Sequence, residues 1–128
     1  RDVLGSRGLG DVYKRQLYDF YGDLLTPRQK EFYDLYYNDD LSLAEIAENY
    51  DITRQGVRDI IVRAEKTLED IEEKTGLIQR YHRTRATTAA LRSLCSQLQA
   101  LNQARFMDRE LDDLGRQLSD AIDDLERE

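Results

Sequence analysis

The 128-residue sequence contains one cysteine, one proline, one histidine and no tryptophan. A single cysteine excludes an intrachain disulfide and a structural zinc site built on several thiolates. With one histidine there is no His pair for a metal, and the sequence places no Cys-His pair for nucleophilic catalysis. We therefore expect no metal, no cofactor and no catalytic residues, and we interpret the chain as non-enzymatic.

Long apolar runs are also missing from the sequence. No segment approaches the roughly twenty apolar residues that a membrane-spanning helix needs, and no signal-peptide core is visible. Sustained alternation of β-branched residues, which is typical of strands, is absent too. We expect an all-α, soluble protein that acts in the cytoplasm and makes no membrane contact.

Acidic residues exceed basic ones, and the net charge is −7. Residues 17–76 hold 7 Lys+Arg against 15 Asp+Glu, whereas residues 77–105 hold 5 Arg and no acid. An acidic total argues against a general nucleic-acid coat. The basic segment fits contact with phosphate through charge and stacking. It equally fits pairing with the acidic tail or with the acidic residues 65–73, and we favour this pairing.

The most regular pattern spans residues 42–63 and predicts a helix-turn-helix. Ser42 opens a capping box for a first helix, and Thr53 caps a second one. Ala47 supplies the small residue where the two helices cross, and Asp51 stands at the turn position that needs a positive φ. The small, apolar and turn positions agree in order and spacing, so the pattern is specific as structure.

The chain divides by pattern into three segments. Residues 1–16 hold three of the seven glycines and no helical pattern, so we interpret them as a flexible leader whose native origin is left open. Residues 17–76 can form four helices around one small core, the second of them capped by Thr26-Pro27 and the last ending at Gly76. Residues 77–128 are polar, with leucines at helical spacing.

Two further sets of residues are predicted to face the core of the first domain, because each follows helical spacing. They are Leu17, Phe20, Tyr21 and Leu24 in the first helix, and Phe32, Leu35 and Tyr36 in the second.

Two leucine stripes run through residues 77–128. The first contains Leu91, Leu94, Leu98 and Leu101, and the second contains Leu111, Leu114, Leu118, Ile122 and Leu125. The second stripe is about one residue out of phase, so the segment is either one long coiled-coil-like helix with a stutter or a hairpin bending near residues 102–108. Because stripes this narrow suit a helical partner, we expect a homodimer, or else a hairpin that buries the two stripes against each other.

The candidate nucleic-acid-binding residues open the second motif helix and continue along it. At its start, Arg can bond guanine and Gln can bond adenine through two hydrogen bonds each, whereas basic residues farther along meet phosphate. An ordinary solvated face on a fold used for protein contacts is the alternative. The candidates are Thr53, Arg54, Gln55, Arg58, Asp59, Arg63 and Lys66.

The segment from Leu17 to about Leu77 resembles the YlxM family of small bacterial proteins, whose helix-turn-helix is similar to region four of sigma factors and lacks the wing of winged-helix domains. Gly56 departs from the family pattern, in which Ala is usual, and the leader and the C-terminal half carry no matching motif. The resemblance rests on Asp19-Phe20-Tyr21, Leu24-Leu25-Thr26, Leu35-Tyr36-Tyr37, Asp40-Leu41-Ser42-Leu43, Glu45-Ile46-Ala47-Glu48 and Arg54-Gln55.

This resemblance also implies a function. The family is commonly encoded beside the genes for the signal recognition particle protein and is assigned a regulatory role in that pathway from this gene neighbourhood. We therefore expect a homodimer that regulates the pathway by binding DNA. The alternative is an adaptor that contacts the signal recognition particle protein or RNA without binding DNA.

Overall fold

The computed structural model describes residues 9–127, and every regular element in this range is helical. The all-α fold predicted from the sequence is confirmed. A 3-10 turn, Gly22–Leu24, follows the first helix, and a π-helical turn, Asn102–Phe106, separates the last two. The six α-helices are α1 (Leu9–Tyr21), α2 (Pro27–Tyr37), α3 (Leu43–Tyr50), α4 (Arg54–Thr75), α5 (Leu77–Leu101) and α6 (Arg109–Glu126).

The chain forms two compact units, Arg1–Ile78 and Gln79–Glu128. We call them the helix-turn-helix unit and the hairpin unit. Within the described residues, no helix is long and apolar enough to cross a membrane.

Local capping rules set several helix ends of the helix-turn-helix unit where the sequence predicts them. Thr26 accepts a hydrogen bond from Gln29 N at the start of α2, and the Gln29 side chain accepts one from Thr26 N, which completes a capping box. Helix α4 ends at Thr75 and is capped by Gly76, whose φ of 61° is accessible to glycine without steric cost.

Helix α1 begins well before the predicted start at Leu17, so the flexible leader is wrong for residues 9–16. Val12 and Tyr13 of this segment are exposed, and long-range hydrogen bonds hold it. The Tyr33 hydroxyl donates to the Lys14 carbonyl at 2.7 Å, and Arg15 Nε donates to the Tyr37 carbonyl at 2.8 Å. Residues 1–8 of the predicted leader lie outside the described residues.

The core of the helix-turn-helix unit is rich in tyrosine. Tyr33 and Tyr37 are buried, although neither was in the predicted inner stripe of α2, whereas Leu35 is only half-buried. The tyrosine rings pack together, with Tyr18 stacked on Tyr33 at a centroid distance of 5.7 Å. The buried core residues are Leu17, Tyr21, Leu25, Phe32, Tyr33, Tyr36, Tyr37, Leu43, Ile46, Ala47, Val57, Ile61, Ala64, Leu68 and Ile78.

The prediction that Phe20 and Leu24 face this core is wrong. Leu24 is 66% exposed and Phe20 is 38% exposed, whereas Leu25 is buried. The 3-10 turn after Tyr21 has three residues per turn instead of 3.6, so it shifts the register after Tyr21 and brings Leu25 instead of Leu24 to the core.

In the hairpin unit, α5 and α6 run antiparallel, so the structure has the hairpin and not the single long helix. Arg92 donates to Asp123 Oδ1 at 2.5 Å and to Glu126, and Cys95 Sγ lies 3.6 Å from the Gly115 carbonyl. The unit's buried residues, Thr88, Cys95, Asn102, Gly115 and Ile122, line the seam between the helices.

The turn between α5 and α6 is closed by Asn102. Its side chain donates to the Asp108 carbonyl and accepts from Asp108 N, both at 3.0 Å. Met107 takes a left-handed conformation with φ 47°, and the Asp108 side chain then caps α6 by accepting from Leu111 N. The chain therefore reverses without Gly or Pro.

The expectation that the hairpin buries the two leucine stripes against each other is wrong. Leu94 is 60% exposed and Leu114 is 54% exposed, and the other six stripe leucines are 37–52% exposed. Only Ile122 of the second stripe is buried, because the seam is formed by a different face of each helix.

Candidate nucleic-acid interface

Helices α3 and α4 meet in the helix-turn-helix that the sequence predicts. Ser42 Oγ accepts from Glu45 N at 3.1 Å, and the Glu45 side chain accepts from Ser42 N, so the capping box is complete. Asp51 is left-handed with φ 54°, and Ile52 N bonds the carbonyl of the buried Ala47 at 3.1 Å. This turn sets the angle at which α4 leaves α3.

The inner face of α4 is locked into the core by Val57, Ile61, Ala64 and Leu68, each 0% exposed. With 3.6 residues per turn, this stripe leaves the side chains about half a turn away in solvent. The structure exposes all seven predicted site residues, namely Thr53, Arg54, Gln55, Arg58, Asp59, Arg63 and Lys66.

Three of these residues are engaged inside the helix. Thr53 Oγ1 accepts from Gly56 N at 2.9 Å and so acts as the N-cap of α4. Gln55 Nε2 donates to Asp59 Oδ1 at 2.9 Å, one helical turn away. A Gln55 amide that bonded adenine would first have to leave Asp59.

Arg58, Arg63 and Lys66 are the cations of this surface that face solvent without an acidic partner. Within residues 9–127, no hydrogen bond or ion pair joins any of them to a carboxylate. They span more than two turns of α4, with Arg58 nearest the turn between α3 and α4. We call Arg58, Arg63 and Lys66 the cationic face.

The nearest acidic residues farther along α4 are bound by α1 and α2. Glu65 accepts from the Tyr37 hydroxyl and lies 3.5 Å from Lys14 Nζ, which also bonds Glu69 at 2.6 Å. Burial, followed by the hydrogen bond to Glu65, raises the pKa of Tyr37 far above its usual range. Tyr37 therefore stays protonated and remains a donor to Glu65 at neutral pH.

Lys14 remains a cation in this cluster. Burial alone would lower the pKa of Lys14, but the hydrogen bond to Glu69 and the charge of Glu65 raise it overall. Glu72 is also engaged, because it accepts from the Tyr21 hydroxyl at 2.6 Å and from Ile78 N at 3.0 Å. These carboxylates are bound by residues outside the cationic face, and none of them forms an ion pair with it.

Val62 belongs to the same surface and was missed by the sequence reasoning. It is 37% exposed and lies between Arg58 and Lys66 along the helix. Val62 does not follow the spacing of the buried stripe at 57, 61, 64 and 68. An apolar residue outside that spacing is the sequence feature that indicates its exposure. An exposed apolar side chain on such a helix can contact a thymine methyl.

Comparison with known proteins identifies the family of this chain. A family model described as "UPF0122: Putative helix-turn-helix protein, YlxM / p13 like" matches residues 11–107. The chain belongs to the UPF0122 family. The resemblance to YlxM proteins is thereby confirmed, and it extends beyond residues 17–77 on both sides.

Three UPF0122 relatives illustrate the similarity. A protein of Geobacillus kaustophilus is 46% identical over 99 residues, which cover 77% of this chain and 90% of the relative. One from Desulforamulus reducens is 57% identical over 65 residues, 51% of this chain and 56% of the relative. One from Bacillus cereus strain AH187 is 46% identical over 87 residues, 68% of this chain and 79% of the relative.

The UPF0122 match ends at residue 107, so it includes the basic segment but not α6. In that segment Arg92 bonds Asp123 and Glu126, in agreement with the favoured pairing with the acidic tail. Arg85 instead stacks over Tyr81 at 5.5 Å and donates to its hydroxyl. The described part of the chain contains no cluster of three or more His, Cys, Asp or Glu residues that could hold a metal ion.

Proposed function

We propose that this UPF0122 protein regulates the signal recognition particle pathway in the bacterial cytoplasm by binding duplex DNA through α4 as a homodimer. The observation that carries the DNA contact is the cationic face, which presents three exposed positive charges that form no ion pair in the described residues of the second motif helix. A helix in this position is the one that enters the major groove in helix-turn-helix proteins.

The residues of the surface have three roles. Arg58 is nearest the turn, where side chains reach base edges, and its guanidinium can make two hydrogen bonds to guanine. Arg63 and Lys66 lie farther along α4 and contact phosphate, which sets orientation but carries no sequence information. Thr53 and Asp59 act indirectly, by capping the helix and by holding Gln55.

The pathway assignment comes from the resemblance to YlxM proteins and not from the geometry. This assignment suggests two nucleic acids as ligands of the surface, namely a regulatory duplex and the RNA of the signal recognition particle. We favour the duplex, because a helix fits the wide major groove of B-DNA but not the deep, narrow one of A-form RNA.

A protein-interaction adaptor is the second candidate function. The observation that favours it is the charge of residues 17–76, where 15 acidic residues outnumber 7 basic ones. Such a surface would dock on a basic partner, for example the signal recognition particle protein, through complementary potential. The two functions differ in their dependence on the cationic face: DNA binding requires it, whereas docking of the acidic surface does not.

The experiment compares binding of the full chain and its variants to a selected pool of duplexes and to signal recognition particle RNA at about 50 mM salt, where phosphate contacts are strong. We expect Arg58→Ala to lose about 1–3 kcal/mol on the preferred sequence. Lys66→Ala should weaken all sequences alike and reduce the salt slope by about one charge.

Lys74→Ala is the matched control, because it removes the same charge from an exposed position in the last turn of α4. It should leave duplex binding unchanged. If the chain retains neither duplex nor RNA, or if Lys74→Ala weakens binding as much as Lys66→Ala, the cationic face is not the contact and the adaptor replaces it.

A further inference from the structure

The hairpin unit has an apolar face that its own folding does not cover. Eight leucines, four on each helix, are between 37% and 60% exposed. We call them the leucine face: Leu91, Leu94, Leu98 and Leu101 on α5, and Leu111, Leu114, Leu118 and Leu125 on α6.

The two leucine stripes lie on the same side of the hairpin. On each helix the leucines are offset from the seam residues by about 90°, in the same rotational sense along the chain. Because the helices run antiparallel and meet at the seam, equal offsets bring both stripes to one side. The leucine face is therefore a single surface and not two separate edges.

The size of this face is near the upper end for an apolar patch on a monomer. Helix α6 has 18 residues and so is about 27 Å long, and two helices side by side are about 20 Å wide. The face thus covers on the order of 500 Å² in projection. The largest apolar patch on a typical monomer is about 300–600 Å² and often functional, and a stable interface buries roughly 800 Å² on each partner, so this face would supply the centre of one.

The seam alone is a weak core for the hairpin. Its buried residues are Thr88, Cys95, Asn102, Gly115 and Ile122, of which Ile122 is the one large aliphatic side chain among the described residues of the unit. A two-helix unit of this kind needs additional apolar burial to be stable, and oligomerisation is a common source of it.

We propose that the leucine face is covered by a second copy of this chain, giving a four-helix bundle in which α5 of each copy packs beside α6 of the other. Charge selects both the occupant and the arrangement. Helix α5 contains four Arg and no acid, whereas α6 contains two Arg and seven acidic residues. Packing α5 on α5 would place like charges together, and packing α5 on α6 places opposite charges together.

This arrangement follows from a two-fold axis parallel to the helices. Such an axis makes every neighbouring pair of helices antiparallel, as in an up-and-down four-helix bundle. Both chains then enter the bundle at the same end. The proposal specifies the surface of the homodimer in the proposed function, but it does not depend on DNA binding.

The first test is the mass of the full chain in solution by sedimentation, across a dilution series. The expected mass is that of a dimer, about twice the 15.0 kDa of one chain. The double variant Leu94→Asp with Leu114→Asp places charges in the centre of the leucine face and should halve the mass.

The matched control is Ala89→Asp with Ser96→Asp, which adds the same charge at exposed positions of α5 opposite the leucine face. It should remain a dimer. A native chain that is monomeric throughout the series, or a leucine variant that stays dimeric, overturns the proposal. Because the readout is mass, a negative DNA-binding result does not affect this conclusion.

A second test keeps the proposal falsifiable if the charged variant unfolds. In a Cys95→Ser background, one preparation carries Leu98→Cys and another carries Leu114→Cys, and the two are mixed and oxidised. We expect a disulfide between the two different chains, since residues 98 and 114 lie at similar heights in the hairpin. Disulfides formed only between identical chains would overturn the packing of α5 on α6.

Discussion

The helix-turn-helix unit and the hairpin unit are both entirely helical in their described residues, but different side chains hold them together. In the first, Phe32, Tyr33 and Tyr36 are at most 1% exposed and form the centre of a fifteen-residue core. In the second, the seam has few apolar side chains, and the leucines lie outside it. The comparison teaches that helical periodicity identifies an apolar face but does not identify what covers it.

Removing a central aromatic residue should produce the largest difference between the units. Phe32→Ala should lower the unfolding free energy of the helix-turn-helix unit by about 3–5 kcal/mol, because it leaves a cavity in a close-packed core. Tyrosine fluorescence during urea unfolding reports on this unit, since seven of the eight tyrosines precede residue 79. Ile122→Ala should leave the same transition unchanged, and a shared loss would mean that the two units unfold together.

High pH should also destabilise the helix-turn-helix unit more than the hairpin unit. Burial first, and then the charge of Glu65 or the hydrogen bond to it, raises the pKa of Tyr33 and Tyr37 above the ordinary value of 10.0. Their contribution to stability is therefore complete below pH 10 and is lost as the pH rises above it, because the unfolded state releases these protons first. The loss is about 1.4 kcal/mol per pH unit for each phenol.

The measurement is a base titration followed by tyrosinate absorbance and far-UV circular dichroism. The helix-turn-helix unit should lose its helices above pH 10, while the hairpin unit keeps the Arg92 ion pairs, since the guanidinium stays charged. Tyr37→Phe should make the loss less steep. Smooth ionisation of all tyrosines near pH 10 with no loss of helix would contradict the buried tyrosine core.

Local rules made much of the helix-turn-helix unit predictable. Ser42, Thr53 and Gly76 act through neighbours one turn away, so their roles could be inferred from spacing alone. The helical state of residues 9–16 could not be inferred, because it depends on Tyr33 and on Tyr37, which are distant in sequence.

The candidate site was predictable in position but not in electrostatics. The exposure of Arg58 and Lys66 follows from helical spacing, and the Gln55–Asp59 bond is an ordinary contact between residues four apart. What spacing does not reveal is that Tyr37 and Lys14 hold Glu65. This contact crosses from α1 and α2 to α4, and it keeps Glu65 from pairing with the cationic face.

The turn of the hairpin should be sensitive to a single side chain. Asn102→Ala removes both hydrogen bonds to Asp108 and should cost about 1–3 kcal/mol, because the Asp108 backbone groups lose their partner. Hydrogen exchange of the α6 amides should become faster. Gln103→Ala, at the adjacent exposed position, is the control. Unchanged exchange in the Asn102 variant would show that the hairpin is held by other contacts.

The smallest effect compares one glycine from each unit. A Cβ on Gly56 would lie 3.1 Å from Thr53 Oγ1, a hydroxyl that can move by a few tenths of an ångström. Alanine gains up to about 1 kcal/mol over glycine inside a helix, so Gly56→Ala should stabilise by about 0.5 kcal/mol. A Cβ on the buried Gly115 would lie 3.0 Å from Gln99 Cγ, close to the α5 backbone, and the overpacking should outweigh that gain by about 1 kcal/mol. The midpoint of thermal unfolding should therefore rise for Gly56→Ala and fall for Gly115→Ala. A lowered midpoint for Gly56→Ala would mean that the added methyl displaces the Thr53 cap, and a raised midpoint for Gly115→Ala would mean that the seam is more loosely packed than the structure has it.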